Sequence, residues 1–367
     1  MIVYHDESIL TYISAIREYF GLSSDYAPNR ALLDLMNKQK PAKVFVLVVD
    51  GMGANLIKNK LDENSFLRKN MLFQTTTVFP PTTVAATTSI RNGKAPNQNA
   101  WVGWSQYMKE VDDVVIPFYG KGYYNDIDYG KDLVWHALPV DSIEKELARN
   151  GVKADSIFPN FDKNGVDDFD EMCEKLADYS NGKGHNFVYA YWDSYDTYMH
   201  EYGPSSKICD SYLWHINYEI EHLANNLNKN TMLIVMADHG QVDVKRNYNL
   251  YGSKFDKYFS RKPALDPRCM AFYIKDGMKE EFEAEFKKEF EDDYILLSHK
   301  QVLEAKLFGD KRNHKRFEEF IGDYLGIAKS DMSLNYVEKP KKYMVGQHSG
   351  CLDDELLVPI IVYKKMS

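Results

Sequence analysis

Four short runs of the chain are apolar at nearly every position: Val44–Val49, Phe187–Trp192, Met232–Ala237 and Val358–Tyr363. Unbroken apolar runs of this length predict strands buried on both faces, as in a mostly parallel sheet. Between them, apolar positions recur at helical spacing over Leu10–Phe20, Val84–Arg91, Ile143–Ala148, Asp167–Tyr179 and Leu213–Leu227. Strands alternating with helices predict an α/β fold, with a mostly parallel central sheet flanked by helices. Two stretches break the alternation. Residues 105–140 are rich in Tyr, Gly and Asp with weak periodicity. Residues 254–340 hold an acidic-basic amphipathic helix over Lys279–Phe290 and a second helix over Arg316–Leu325. Both read as insertions that cover or flank a site within one domain spanning 1–367.

Composition narrows the partners. At 367 residues and 44% hydrophobic, the chain has ample apolar surface for one large domain. A formal charge of -9 argues against a nucleic-acid polymer or an anionic membrane as the main partner. A small anionic substrate stays open, because bound cations reverse the local field of an acidic protein. The start, Met1–Glu7, lacks the basic and apolar pattern of a signal peptide, and no apolar run approaches the ~20 residues that span a membrane. Cys173, Cys209, Cys269 and Cys351 are scattered with no Cys-x-x-Cys pair, which predicts reduced thiols in a cytoplasmic protein.

Three of the four apolar runs end in the same chemistry. The first runs into Asp50-Gly51-Met52-Gly53, the second into Asp193-Ser194-Tyr195-Asp196 and then His200, the third into Asp238-His239-Gly240. In open α/β sheets ligands collect at the carboxyl ends of the strands, so these side chains are expected to converge. A further histidine, His348, sits in Gly346-Gln347-His348-Ser349-Gly350 just before the last strand. Each piece has a plain structural reading. Asp50 is a turn residue, Asp196 and His200 an exposed i,i+4 pair, and His348 a hydrogen-bonded loop histidine. The dinucleotide fingerprint suggested by Asp50-Gly51-Met52-Gly53 fails, because Leu56 occupies the place of its third glycine. Asp238 and His239 are harder to explain away, since polar groups abutting a buried strand are costly unless something pairs them. Together the set offers the nitrogen and oxygen donors that zinc favours.

The segment Thr75–Gly93 supplies a nucleophile candidate. Pro81 suits a first helical turn, an Ala-rich stretch propagates the helix, and Gly93 stops it. Thr82 and Thr83 then lie at the helix N-terminus, where free N–H groups attract a phosphate. Both also read as caps, and for Thr82 the cap suffices. A threonine hydroxyl is a poor nucleophile in water, and coordination to a metal generates its alkoxide.

With these residues in view, the chain resembles the alkaline phosphatase superfamily in its type I phosphodiesterase/nucleotide pyrophosphatase branch, over about seven-eighths of its length. Asp-x-x-x-His-x-x-Gly-Pro occurs as Asp196, His200, Gly203 and Pro204, followed by Asp238-His239-Gly240. An Asp-Gly-Met-Gly lies upstream and a Gly-x-His downstream. The resemblance implies an alkaline phosphatase-like sandwich and two divalent metal ions, zinc first and manganese as a substitute. Asp196, His200 and His348 would hold one ion; Asp50, Asp238, His239 and the nucleophile Thr83 the other. No other cofactor is expected. The implied reaction is hydrolysis of a small phosphodiester or pyrophosphate through a phospho-threonine.

Two departures from the family pattern stand out. Matching on Phe79-Pro80 places Val78, which cannot react, at the nucleophile. Counting back ten residues from Gly93 gives Thr83. The family's phosphate-holding asparagine, about twenty residues after the nucleophile, corresponds to Trp104. Trp101, Trp104 and the tyrosines of 107–129 are expected to offer a stacking surface instead. The rival readings are a phosphomonoesterase or phosphomutase of the same superfamily, and a non-catalytic metal-stabilised binding protein. A sulfatase is disfavoured because no Cys-x-Pro-x-Arg or Ser-x-Pro-x-Arg occurs.

Overall fold

A computed structural model describes residues 5–339 and 342–365; the extreme N-terminus, Met1–Tyr4, where no signal pattern is read, lies outside them. All four apolar runs form strands, and they are contiguous in one six-stranded sheet. Its order is Met71–Thr76, Leu357–Lys364, Thr231–Met236, Lys43–Val49, Phe187–Trp192 and Ala154–Ile157. Thr231–Met236 and Phe187–Trp192 are buried throughout, as their unbroken apolar pattern requires. The central strand is parallel to both neighbours, with Val44 opposite Phe187 and Met232. Leu357–Lys364 alone runs the other way, antiparallel to the strands on either side. The two flanking strands carry no apolar run. Met71–Thr76 alternates in exposure and Ala154–Ile157 is mostly half-buried, which is what sheet edges permit.

The five expected helices form as Ile9–Tyr19, Thr83–Asn92, Ile143–Arg149, Phe169–Asn181 and Lys207–Asn226. A side-chain cap starts three of them, Ser8 serving the first. Asp168 accepts from Glu171 N, and Ser206 accepts from Cys209 N, which begins the last helix six residues ahead of its apolar stripe. Two groups of helices flank the sheet. Phe169–Asn181, Ser194–Tyr202 and Lys207–Asn226 pack together, while Ile9–Tyr19 packs on Arg30–Gln39 and Thr83–Asn92.

The stretch 254–340 departs from expectation in one element. The predicted helix Arg316–Leu325 is helical only over Phe317–Phe320. Gly322, at φ 64, turns the chain, and a Cβ there would stand 2.6 Å from the Phe272 carbonyl oxygen. Beyond it Tyr324–Ala328 is a fully buried strand. It pairs antiparallel with Cys269–Phe272 and Tyr294–Ser298 in a four-stranded sheet edged by Ala264–Asp266. The helix Lys279–Phe290 forms as expected and lays Phe282, Phe286 and Phe290 on this sheet's own apolar cluster. Residues 106–122 form a three-stranded antiparallel sheet. Its Met108 and Val115 share a second apolar cluster with Leu265, Leu325, Trp101, Phe79 and Val84. Both irregular stretches therefore pack on the segment that enters the helix Thr83–Asn92.

One buried ion pair fastens this second region to the central sheet. Arg268 and Glu355 are fully buried, joined Nε–Oε1 at 2.7 Å and Nη2–Oε2 at 2.8 Å. Arg268 Nη1 donates to the Ser330 and Met332 carbonyls, while Glu355 accepts from Gly350 N and Leu352 N. The Glu355 carbonyl accepts from Gly240 N at 2.9 Å, so the turns bearing His348 and His239 hang on the same residue. Removing one member strands the other charge in the interior. Glu355→Ala is expected to lower stability by about 3–5 kcal/mol in chemical denaturation; a loss under about 1 kcal/mol would show that the pair is not load-sharing.

Candidate active site

Most of the site residues are delivered by strand ends or by the elements that follow them directly. Asp50 follows Lys43–Val49, with its N–H bonded to the Trp192 carbonyl, and Asp238-His239 follow Thr231–Met236. Helix Ser194–Tyr202, entered directly from the Phe187 strand, puts Asp196 and His200 one turn apart. Because the last strand is reversed, the turn before it reaches the same edge and brings His348 there. Gly51, at φ 73, is needed for this convergence: a Cβ would stand 2.6 Å from Met199 Cε and 3.0 Å from Asp196 Oδ1.

Asp50, Thr83, Asp196, His200, Asp238, His239 and His348 form one cluster. Thr83 is the first residue of its helix, and its Oγ1 lies 3.3 Å from Asp50 Oδ2 and 3.2 Å from His239 Nε2. His239 Nε2 is also 3.2 Å from Asp50 Oδ1 and 3.4 Å from Asp238 Oδ2. On the other side, His348 stacks on His239 with ring centroids 3.9 Å apart, and His200 lies 5.1 Å from His348. His200 Nε2 faces Asp196 Oδ2 at 3.0 Å. Two donor sets are tight enough to share an ion: Asp50, Asp238 and His239, and Asp196, His239 and His348. In the second set His239 stands where the sequence suggested His200, which is turned onto Asp196 instead.

The imidazoles are held in one orientation. Nδ1 of His200 meets the Gly346 carbonyl at 2.7 Å, Nδ1 of His239 the Gly240 carbonyl at 3.1 Å, and Nδ1 of His348 the Pro81 carbonyl at 3.1 Å. With each Nδ1 held by a carbonyl, the Nε2 atoms of all three rings face the cluster, where a metal ion would take the place of any proton they carry. The carboxylates give the same reading. Asp50 Oδ1 and Asp238 Oδ2 are buried and accept no hydrogen bond. Burial first, then the neighbouring acids, holds Asp50 well above the carboxylate range and pushes Asp238 up to about 7. Burial works against Asp196 too, but His200, His348 and His239 outweigh it and hold Asp196 well below its usual range. Burial opposes the charge on His200, yet Asp196 lifts it to about 9. Orphaned carboxylate oxygens, inward Nε2 atoms and a nitrogen–oxygen donor set fit divalent metal ions.

Supporting residues that the sequence does not signal surround this cluster. Tyr191 donates to Asp50 Oδ2, and Gln241 Nε2 donates to the Asp196 side chain and, at 3.1 Å, to its carbonyl. Thr82 is the N-cap by position but makes no capping bond; its hydroxyl donates to buried Asp266 at 2.9 Å. Asp266 also accepts from Trp104 N at 3.1 Å. The expected stacking role fails for Trp101, which is fully buried against Phe118 and Trp135. Trp104 remains partly exposed, edge-on to the exposed Tyr119.

The sheet and its flanking helices have an alkaline phosphatase-like architecture. A family model described as type I phosphodiesterase / nucleotide pyrophosphatase matches residues 44–351, and the chain belongs to that family. Murine ectonucleotide pyrophosphatase / phosphodiesterase 5 is similar in structure, with a TM-score of 0.65 at 15% identity over 87% of each chain. It has also been solved as an inactive threonine-to-alanine variant in complex with AMP. Phosphonoacetate hydrolase from Sinorhizobium meliloti 1021, in complex with phosphonoformate, matches with a TM-score of 0.66 at 14% identity. That match covers 88% of this chain and 90% of the other. No curated protein matches by sequence. Among the described residues, no helix is long and apolar enough to cross a membrane.

The crowded acids set a pH dependence for metal-stripped protein. Asp238, raised in the fold to about 7, favours the folded state at low pH, and that contribution is lost as pH rises toward 7. His200, raised to about 9, acts in the same direction, its contribution lost as pH rises toward 9. Thermal unfolding in chelator is expected to show a melting temperature that falls steadily between about pH 6 and about pH 9. A flat or rising profile would contradict the raised values of Asp238 and His200.

Proposed function

We propose that the chain is a two-metal phosphohydrolase that cleaves a phosphodiester or pyrophosphate bond through a phospho-threonine on Thr83. The observation that carries this reading is the Thr83 hydroxyl, buried at a helix start within 3.3 Å of Asp50 and 3.2 Å of His239. Asp196, His348 and His200 would hold one ion, and Asp50, Asp238 and His239 the other, with Thr83 beside the second. Zinc is the expected metal, and manganese a workable substitute. The bound ions supply the positive charge that offsets negative charge growing on phosphoryl and leaving oxygens.

The chain's own residues do the rest. The Thr83 hydroxyl donates toward Asp50 Oδ2, a carboxylate that Tyr191 steadies from the neighbouring strand. Thr83 Oγ1 attacks phosphorus as its proton passes to Asp50 Oδ2, and the P–O bond breaks with its electron pair going to the leaving alcohol or phosphate oxygen, which then takes up a proton. Water then cleaves the Thr83–phosphate bond and restores the hydroxyl. The free N–H groups of the first helical turn are positioned to receive the phosphoryl oxygens. The inactive threonine-to-alanine form of the murine relative supports an essential threonine hydroxyl, and its AMP supports a nucleotide-like ligand.

Diester preference rests on charge and surface. A monoester brings a second negative charge, and two arginines of the surrounding structure are committed elsewhere. Arg91 pairs with Glu144 and Arg268 with Glu355. Trp104 and Tyr119 offer a partly exposed apolar face for the second organic group of a diester. The irregular stretches 105–140 and 254–340 are read as insertions in the single catalytic domain that shape this face.

Thr83→Ala is expected to lower turnover by several orders of magnitude while elemental analysis still finds two ions per chain. Thr82→Ala, which loses only the bond to Asp266, should keep turnover and lose about 1–3 kcal/mol of stability. A dead Thr82→Ala beside an active Thr83→Ala would move the nucleophile by one position. Bis(nitrophenyl) phosphate is expected to show a higher kcat/KM than nitrophenyl phosphate. The opposite order would make the enzyme a monoesterase with the same nucleophile.

A further inference from the structure

A second group of metal-ligating side chains lies outside the active site, on two helices that pack along one another. Asp170 is in the first turn of Phe169–Asn181. His215 and Glu219 are one turn apart on Lys207–Asn226. His215 Nε2 is 2.9 Å from Asp170 Oδ1, and one donor atom from each of the three residues lies within 4.8 Å of the other two. The Tyr212 ring lies nearly parallel to His215, at 14°, with ring centroids 6.0 Å apart.

The Asp170–His215 contact pairs two of these groups, and Glu219 beside them completes a set of one imidazole and two carboxylates. Glu219 has no ion-pair or hydrogen-bond partner among the described residues, and no Lys or Arg there pairs with Asp170 either. A protonated imidazole neutralises one carboxylate of the two and leaves the other unmatched. A divalent cation matches both and takes the imidazole as a neutral ligand. The atoms are close to what such an ion requires. With ligand distances of about 2.0–2.2 Å, tetrahedral zinc places its ligands about 3.4 Å apart, a small contraction for side chains as exposed as these. The surface position leaves room for water as the fourth ligand.

We propose that Asp170, His215 and Glu219 form a third divalent-cation site, of zinc-type chemistry, that clasps the two helices. Lys207–Asn226 in turn packs on Ser194–Tyr202, the helix that carries Asp196 and His200. An ion here braces the support of the active site without touching it. The site is independent of the catalytic reading, because none of its ligands belongs to the active-site cluster.

The test counts ions. Full-length protein is stripped with chelator, dialysed against Zn2+ and analysed for bound metal, as wild type, as His215→Ala/Glu219→Ala, and as Asp238→Asn. The wild type is expected to hold one ion more than the double variant, whose hydrolysis is unchanged. Adding the double substitution to Asp238→Asn is expected to remove one further ion. Equal ion counts in wild type and double variant would overturn the proposal. An unchanged count in Asp238→Asn would instead strike the active-site assignment and leave this one standing.

Discussion

Three buried carboxylates and two buried imidazoles, with the half-buried His200 beside them, are the interaction on which the rest of this structure depends. Asp50, Asp238 and Asp196 repel one another in an interior that cannot screen them, and His239 and His348 stack face to face. No local segment would adopt that arrangement alone. It persists because each member is pinned by a rigid element: three parallel strand ends, one helix turn, and a turn leading into a reversed strand. Two features make the crowding chemically useful. Backbone carbonyls take every Nδ1 proton, and two carboxylate oxygens are left without any donor.

The pinning extends well beyond the sheet. Arg268 and Glu355 connect the smaller four-stranded sheet to the turns that bear His239 and His348, so the second region is part of the site's foundation. Asp266 makes a parallel connection, binding Thr82 and Trp104 from the edge strand of the same sheet. Thr83 is thus placed from two directions: by its own helix, and by a neighbour tied to a buried carboxylate. Leu265, next to that carboxylate, is a buried non-glycine residue at φ 74, local strain held by the packing around it.

By itself the sequence determined the framework and the residues that crowd its sheet edge. The four apolar runs marked the buried strands, because a strand covered on both faces needs apolar residues at every position. Polar residues abutting those runs marked the side chains that converge at one sheet edge, and Thr83 before a helix ended by Gly93 marked the candidate nucleophile. Only the tertiary structure decided which side chains meet. Periodicity reports how deeply a position is buried, not what lies across from it, so Tyr191 read as strand core and not as a partner of Asp50. The edge strands Met71–Thr76 and Ala154–Ile157 were silent because an edge needs no apolar run. Arg316–Leu325 read as a helix until Gly322 and the packing on Phe272 made its second half a strand. Trp101 looked like a stacking surface, and long-range packing enclosed it. His239 joined both donor sets because it stacks on His348, a contact between residues far apart in sequence, which no local pattern encodes.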